Sequence, residues 1–360
     1  MNDVEELVLS LAPQGDRRWL QLAKDGQPLP IRPPLIDQNG DMVPAQIFRS
    51  YYKGYTVVLN QVQRRLPSLR RYCSTLEDIV LRTTGVILKD PISANIYLTP
   101  PNSRGFSAHC DNHDVFILQV DGSKTWRLYN PPVAFPVEPI TKFDSGVLGT
   151  PTHTETLRAG TVMYLPRGIP HEGLTSSEHS LHITISMRAF TKLDLVVNVA
   201  RFIPDVRRTL LIQNGNEDQG FTPEDLKSLL AAFADSRLVH SNLRLLRNQR
   251  LTSSLPAMGE HVRVINALDT IGESTILTRR SPTGALIKNG TQLTLHYPGV
   301  TATYETKAGP SLRLLLSNDR VRVQDLPGFE SASERIDFVK RLVGEGFLSL
   351  PESESVASAA

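Results

Sequence analysis

Apolar positions change period along the chain, and each change marks a different kind of element. Over residues 45–71 they recur at a loosely helical spacing, broken by the β-branched run Tyr55–Leu59. From Ile92 onward, short β-branched and aromatic runs follow one another: Ser93–Leu98, Val115–Val120, Thr125–Tyr129, Val162–Leu165 and Ser180–Met187. Asp121-Gly122 predicts a tight hairpin turn between the second and third of these. Pro100-Pro101, Pro131-Pro132 and Arg167-Gly168 punctuate the rest. Several short strands with turn signals and no helices between them predict a β-barrel or double-sheet jelly roll.

After Phe190 the period becomes helical. Leu193–Ile212 reads as a helix broken or kinked at Pro204. Thr222-Pro223-Glu224-Asp225 has the form of an N-cap, a proline at the first helical position and acids in the first turn. The helix it opens is predicted to run through Leu226–Phe233 and on toward Leu251. Gln292–Tyr297 and Thr301–Lys307 form a candidate hairpin across Pro298-Gly299. Ser333–Glu345 carries Ile336, Val339, Leu342 and Val343 on one helical face. The pattern as a whole predicts an α+β chain: a β-rich unit over 1–190, a helical segment over 191–258, a mixed unit over 259–350 and a disordered polar tail over 351–360. There is no internal repeat.

Composition changes this picture little. A chain of 360 residues with 40% apolar and 21% charged positions reads as soluble and globular. The net charge of +2, from 39 basic against 37 acidic side chains, gives no reason to expect nucleic-acid binding. Cys73 and Cys110 suggest neither a disulfide framework nor a thiolate zinc site, which favours a reducing, cytoplasmic setting. The N-terminus lacks the pattern of a signal peptide, and no window approaches the 18 apolar residues of a membrane span.

The candidate chemistry lies in Ala108–Tyr129, AHCDNHDVFILQVDGSKTWRLY. His109 and Asp111 are two apart at a strand start, so both point to one face and Cys110 to the other. One imidazole and one carboxylate need a second imidazole to form the facial triad that suits non-haem Fe(II) and leaves coordination positions open. His171 is the best third ligand, because a strand and a Pro-Arg-Gly turn lead directly to it. His113 shares strand parity with His109. Four residues at roughly 3.3 Å each would hold the two about 13 Å apart, too far for one ion, so His113 is read as supporting or structural.

These runs are long enough to carry a resemblance. NIYLTPPNSRGFSAHCDNHDVFILQVDGSKTWRLYNPP (95–132), RAGTVMYLPRGIPHEG (158–173), HSLHITIS (179–186) and VVLNQVQRRLPSL (57–69) resemble the JmjC-type oxygenases of the cupin superfamily, in particular their ribosomal oxygenase branch. The resemblance implies a double-stranded β-helix catalytic domain, with Fe(II) held by His109, Asp111 and His171. It implies that Lys124 pairs with the distal carboxylate of 2-oxoglutarate, with O2 as the second cosubstrate. By the same likeness Asn95 and Ser186 lie near the cosubstrate or substrate, and Tyr97 packs against the substrate side chain. His182 and Thr184 share the strand parity of Ser186, and these three are equally readable as satisfied polar groups of a barrel core. The branch further implies a helical dimerisation segment, a winged-helix-like C-terminal domain and a homodimer.

The reaction implied is hydroxylation of an amino-acid side chain in a polypeptide, most directly a ribosomal protein. A natural-product or small-molecule tailoring oxygenase uses the same scaffold, with a more closed pocket. A non-catalytic regulatory module is disfavoured by the intact candidate residues, and lysine demethylation by the branch the motifs resemble. Residues between Asp144 and Glu155 have no anchor in the resemblance and are candidates for shaping substrate choice.

Overall fold

The computed structural model describes residues 2–9, 19–32, 34–144, 146–207, 222–253, 261–281 and 283–350. The expected tail over 351–360 and the end of the helix expected to reach Ile212 lie outside them. The chain divides into two compact units, residues 1–75 with 92–188 and residues 76–91 with 189–360.

In the first unit, α1 (Asn2–Leu9) precedes β1 (Leu20–Lys24) and β2 (Gln27–Leu29). Then come α2 (Pro44–Tyr52), β3 (Thr56–Leu59) and the start of α3 (Pro67–Thr84). The barrel proper is β4 (Ser93–Thr99), β5 (Asp114–Leu128), β6 (His153–Arg158), β7 (Val162–Leu165), β8 (His171–Leu174) and β9 (Ser180–Met187). All pairings are antiparallel, in the order β2-β1-β3-β4-β9-β5-β6, with β7 and β8 also paired to β5. Strands β4 and β9 alternate cleanly. Ala94, Ile96, Leu181 and Ile185 are buried on one face, while Asn95, Tyr97, His182 and Thr184 turn to the other. The double-sheet jelly roll expected from the strand pattern is present.

In this unit the hairpin expectation fails. Asp121-Gly122 does not turn a hairpin: β5 is a single strand of 15 residues that changes partners midway. Its first part, Val115–Leu118, lies between β7 and β9, and its last part, Thr125–Leu128, lies between β6 and β8. A register shift between Gln119 and Asp121 marks a β-bulge. The extra residue reverses the facing of the strand. Val115 and Ile117 face the interior before it, Lys124 and Trp126 after it. Gly122 (φ +62°) permits the bend, and a Cβ there would lie 1.9 Å from the backbone oxygen of His179.

The second unit contains α4 (Lys192–Ala200), shorter than expected and ended ahead of Pro204. The capping box at Thr222 and Asp225 opens α5 (Pro223–Ala234) as the sequence indicated. Helix α5 does not run on to Leu251. The chain breaks at Asp235, which has extended backbone, and α6 (Ser236–Ser253) begins again after it. Asp235 accepts from the N–H groups of Arg237 and Leu238, which caps the new helix and explains the break. Asn198 and Asn242 form a buried amide pair, 3.0 Å apart, between α4 and α6.

The remainder is α7 (His261–Asn266), β10 (Ile276–Arg279), β11 (Ala285–Asn289), β12 (Gln292–Tyr297), β13 (Val300–Glu305), α8 (Gly309–Ser317), β14 (Arg320–Arg322), α9 (Ala332–Gly344) and β15 (Leu348–Ser349). The hairpin across Pro298-Gly299 forms between β12 and β13. Helix α9 buries Val339, Leu342 and Val343 against a core that includes Leu295, Leu312, Leu315 and Phe347.

Gly122→Ala is expected to cost about 2 kcal/mol or more of stability, because the added methyl collides with backbone and the φ is unfavourable for alanine. Chemical denaturation checks this; an unchanged midpoint would remove the bulge from the account.

Candidate functional site

The interior of the first unit holds a cavity of about 530 Å³. His109 and Asp111 lie in an extended segment just ahead of β5 and not inside a long strand. His171 opens β8, directly after the turn Pro166–Ile169, in which Gly168 takes a φ of +86° as the third residue of such a turn requires. The two histidines face each other across a short antiparallel bridge and exchange both backbone bonds: His109 N–H donates to His171 O at 3.1 Å, and His171 N–H to His109 O at 2.8 Å. Cys110 is buried on the opposite face and exchanges both backbone bonds with Ile140.

The ligand atoms of His109, Asp111 and His171 all lie within 4.8 Å of one another, and His171 Nε2 is 4.0 Å from Asp111 Oδ2. Each ring is held by its other nitrogen. His109 Nδ1 lies 2.8 Å from the Ser107 carbonyl, and His171 Nδ1 lies 3.0 Å from the Ile169 carbonyl. A carbonyl only accepts, so Nδ1 carries the proton and Nε2 keeps its lone pair for an ion. Burial, then the nearby His109, hold the His171 imidazole well below its ordinary pKa, in the neutral form that ligates. Two imidazoles and one carboxylate, with the thiol turned away, fit a divalent ion of the non-haem iron type. His113 lines the same cavity but is not among the three converging groups; its Nδ1 lies 3.3 Å from Asn112 Oδ1.

Behind His171 sits Glu172, buried and accepting from Tyr129 Oη at 2.7 Å and Arg104 Nη1 at 2.9 Å, with Arg127 at 3.5 Å. Burial alone would raise its carboxyl; Tyr129, then Arg104 and Arg127, more than offset that and hold it below the usual range. The network clamps β8 one residue from the candidate ligand.

Lys124 points into the cavity. Its ammonium donates to Thr99 Oγ1 at 3.1 Å and lies 5.5 Å from the Trp126 ring centroid. Burial pushes its pKa down to about 7. No carboxylate pairs with it among the ion pairs of the described residues. Gly173, opposite Trp126, leaves the lysine its space: a Cβ there would come within 2.7 Å of Lys124 Cε.

Asn95, Tyr97 and Ser186 all line the cavity, as do His182 and Thr184. Asn95 Oδ1 accepts from the Gln61 N–H at 2.9 Å. Tyr97 stacks on His182 with centroids 4.7 Å apart, and burial, then the Asp111 charge, raise its hydroxyl to about 12. Burial, then the Lys124 charge, keep His182 neutral. Sequence reasoning missed Phe106, Trp126, Pro139 and Thr141, which also line the cavity. Nothing in the sequence pointed to Pro139 and Thr141, which flank Ile140, the bridge partner of Cys110. Among the described residues of 144–155, none lines it.

Residues 74–195 match the JmjC domain family. The chain is 36% identical over 156 residues to the bifunctional lysine-specific demethylase and histidyl-hydroxylase NO66 of Drosophila yakuba, covering 42% of this chain and 22% of that protein. The match to the same-named protein of Drosophila persimilis is 28% over 288 residues, covering 79% and 40%. The chain thus spans less than half the length of these curated relatives. Among solved structures, Escherichia coli YcfD superposes with a TM-score of 0.51 at 17% identity, covering 96% of this chain and 89% of that one. A structure of the same ribosomal oxygenase with cobalt and 2-oxoglutarate gives 0.51 at 14% identity, covering 98% and 90%. At these identities the structures establish a shared fold.

His171→Ala is expected to weaken divalent-ion binding by about 100-fold or more, read from the visible spectrum of a cobalt(II) titration of the metal-stripped protein. Equal affinity in the variant would remove His171 from the ligand set.

Proposed function

From a chain that carries a JmjC domain on a cupin-type barrel, we propose an Fe(II)- and 2-oxoglutarate-dependent oxygenase that hydroxylates an amino-acid side chain of a polypeptide, with a ribosomal protein as the leading substrate. The observation that carries the reading is the pairing, in one cavity, of the His109–Asp111–His171 cluster with the buried Lys124, which has no anionic partner among the described residues. The overall change is substrate C–H, 2-oxoglutarate and O2 to substrate C–OH, succinate and CO2. Bound iron would supply the activation of O2.

The chain's own residues position and protect. His109, Asp111 and His171 would hold the ion on one side, leaving the cavity side open. Lys124, fixed by Thr99, would take the distal carboxylate and so aim the keto acid at the ion. Asn95 and Ser186 would contact the cosubstrate or substrate from the wall, and Tyr97, protonated and braced by His182, would pack against the substrate side chain. The apolar wall from Val115, Ile117 and Trp126 excludes water from the reacting groups.

We extend the reading to the rest of the chain. Residues 191–258 serve as a dimerisation segment of a homodimer, supported by exposed Leu193, Val196 and Val197 on α4 and Leu226 and Leu230 on α5. Residues 259–350 are a winged-helix-like domain, supported by α7, α8 and α9 together with the β12–β13 hairpin. No helix among the described residues is long and apolar enough to cross a membrane. A ribosomal substrate favours a cytoplasmic setting.

The decisive experiment incubates iron(II)-loaded protein with 2-oxoglutarate, air and a ribosomal-protein extract. Succinate and one protein heavier by an oxygen atom are expected. No succinate and no retained iron would sink the assignment.

A pH dependence follows from Lys124. Burial pushes the pKa of the Lys124 ammonium down to about 7, and a dianion pairs with the protonated form. Affinity for 2-oxoglutarate should therefore be flat below about pH 7 and fall by about tenfold per unit above it. Lys124→Ala should weaken 2-oxoglutarate binding, leave iron binding intact and abolish the slope; calorimetric titration across pH reads all three.

A further inference from the structure

The segment that supplies Pro139 and Thr141 to the cavity wall begins with exposed apolar side chains that the reading above does not use. Pro139 and Thr141 belong to the wall. Immediately before them, Val133, Phe135 and Val137 are 49%, 75% and 64% exposed at alternate positions. Solvated apolar side chains in succession, on a segment that also forms part of a cavity, are what a binding rim looks like.

This segment is fastened at four points to the parts that carry the metal ligands. Arg167 Nη2 donates to the Phe135 carbonyl at 3.2 Å, and its guanidinium lies 5.7 Å from the Phe135 ring centroid. Pro136 is buried against Gly168, where a Cβ would come within 2.7 Å of Pro136 Cδ. Asn112 Nδ2 donates to the Val137 carbonyl at 2.8 Å, and Ile140 exchanges backbone bonds with Cys110. Phe135 is held at a φ of +51°, a left-handed conformation that a bulky residue adopts only when its surroundings impose it. The fastening spends backbone strain and four sets of contacts to keep apolar side chains in water beside the cavity.

We propose that Val133, Phe135 and Val137 form the docking strip for the substrate polypeptide, reading apolar residues that flank the hydroxylated one. The proposal rests on the functional reading above and names what that site recognises. A polypeptide suits the strip because the target side chain must enter the cavity while its own backbone and neighbours stay at the rim, where the strip begins. Asp111 is the only acidic residue among the described residues that line the cavity, and Glu138 is exposed within the strip, so the interior offers no acidic anchor beyond the candidate cluster.

The test uses the full chain with iron(II), 2-oxoglutarate and pools of synthetic peptides, each with one fixed central residue and randomised flanks. Mass spectrometry reads which peptides gain an oxygen atom. Hydroxylated sequences are expected to be enriched in Leu, Ile, Val or Phe beside the central residue. Val137→Asp and Phe135→Ser, both at exposed positions, should each lower kcat/KM for the best sequence by about fivefold or more. Peptide-independent 2-oxoglutarate consumption and the 2-oxoglutarate KM should stay at the wild-type level, and Val137→Ile should behave as wild type. Hydroxylation without flank preference, or variants with unchanged kcat/KM, overturns the strip and leaves the oxygenase standing. A variant whose mass by light scattering drops relative to wild type assigns the strip to a contact between copies and overturns the proposal. A wild-type protein that consumes no 2-oxoglutarate with any pool overturns the functional reading and the strip with it.

Discussion

The bulge in β5 is the constraint on which the interior of the barrel depends. A strand alternates its side chains without exception unless a residue is inserted. Continuing the alternation of Val115 and Ile117 would turn Thr125 and Arg127 inward and leave Lys124 and Trp126 outside. The shift between Gln119 and Asp121 reverses this, and at the same place β5 passes from its β7 and β9 partners to β6 and β8. One irregularity thereby closes the roll, brings a cation inside and supplies the indole that walls the cavity. Gly122 and Gly173 are the room it needs: one lets the backbone of β5 pass His179, and the other leaves space for the lysine stem.

The candidate metal cluster depends on backbone pairing more than on side-chain packing. His109 and His171 come from segments far apart in sequence, and the reciprocal bonds between them fix their separation before any ion is present. The carbonyls of Ser107 and Ile169 then set each ring's tautomer. The Glu172 network holds β8 against Arg104, so the loop before His109 and the strand after His171 are joined a second time. Preorganisation of this kind limits the cost of assembling ligands around an ion.

The same segment economy extends to the rim. Cys110, Asp111 and Asn112 each hold a different partner: Ile140, Gly168 and Val137. The loop over 133–141 is thus an extension of the ligand-bearing segment, and its apolar side chains inherit a fixed position relative to the cluster.

The sequence by itself determined the strand-rich architecture of the first unit, because β-branched runs such as Val162–Leu165 and Ser180–Met187 match strands residue for residue. It also determined the local helix signals at Thr222 and over Ser333–Glu345, where capping and period act within a few residues. His109, Asp111 and His171 were legible as a candidate cluster because ligand chemistry restricts residue type and spacing. Tertiary structure alone decided the facing of Lys124, since Asp-Gly reads equally as a hairpin turn or a bulge and only the partners on either side of β5 distinguish them. It also decided the placement of Glu172 behind His171 and the arrival of Pro139 and Thr141 at the cavity. Each of these depends on contacts between segments distant in sequence, for which no local period or propensity carries a signal.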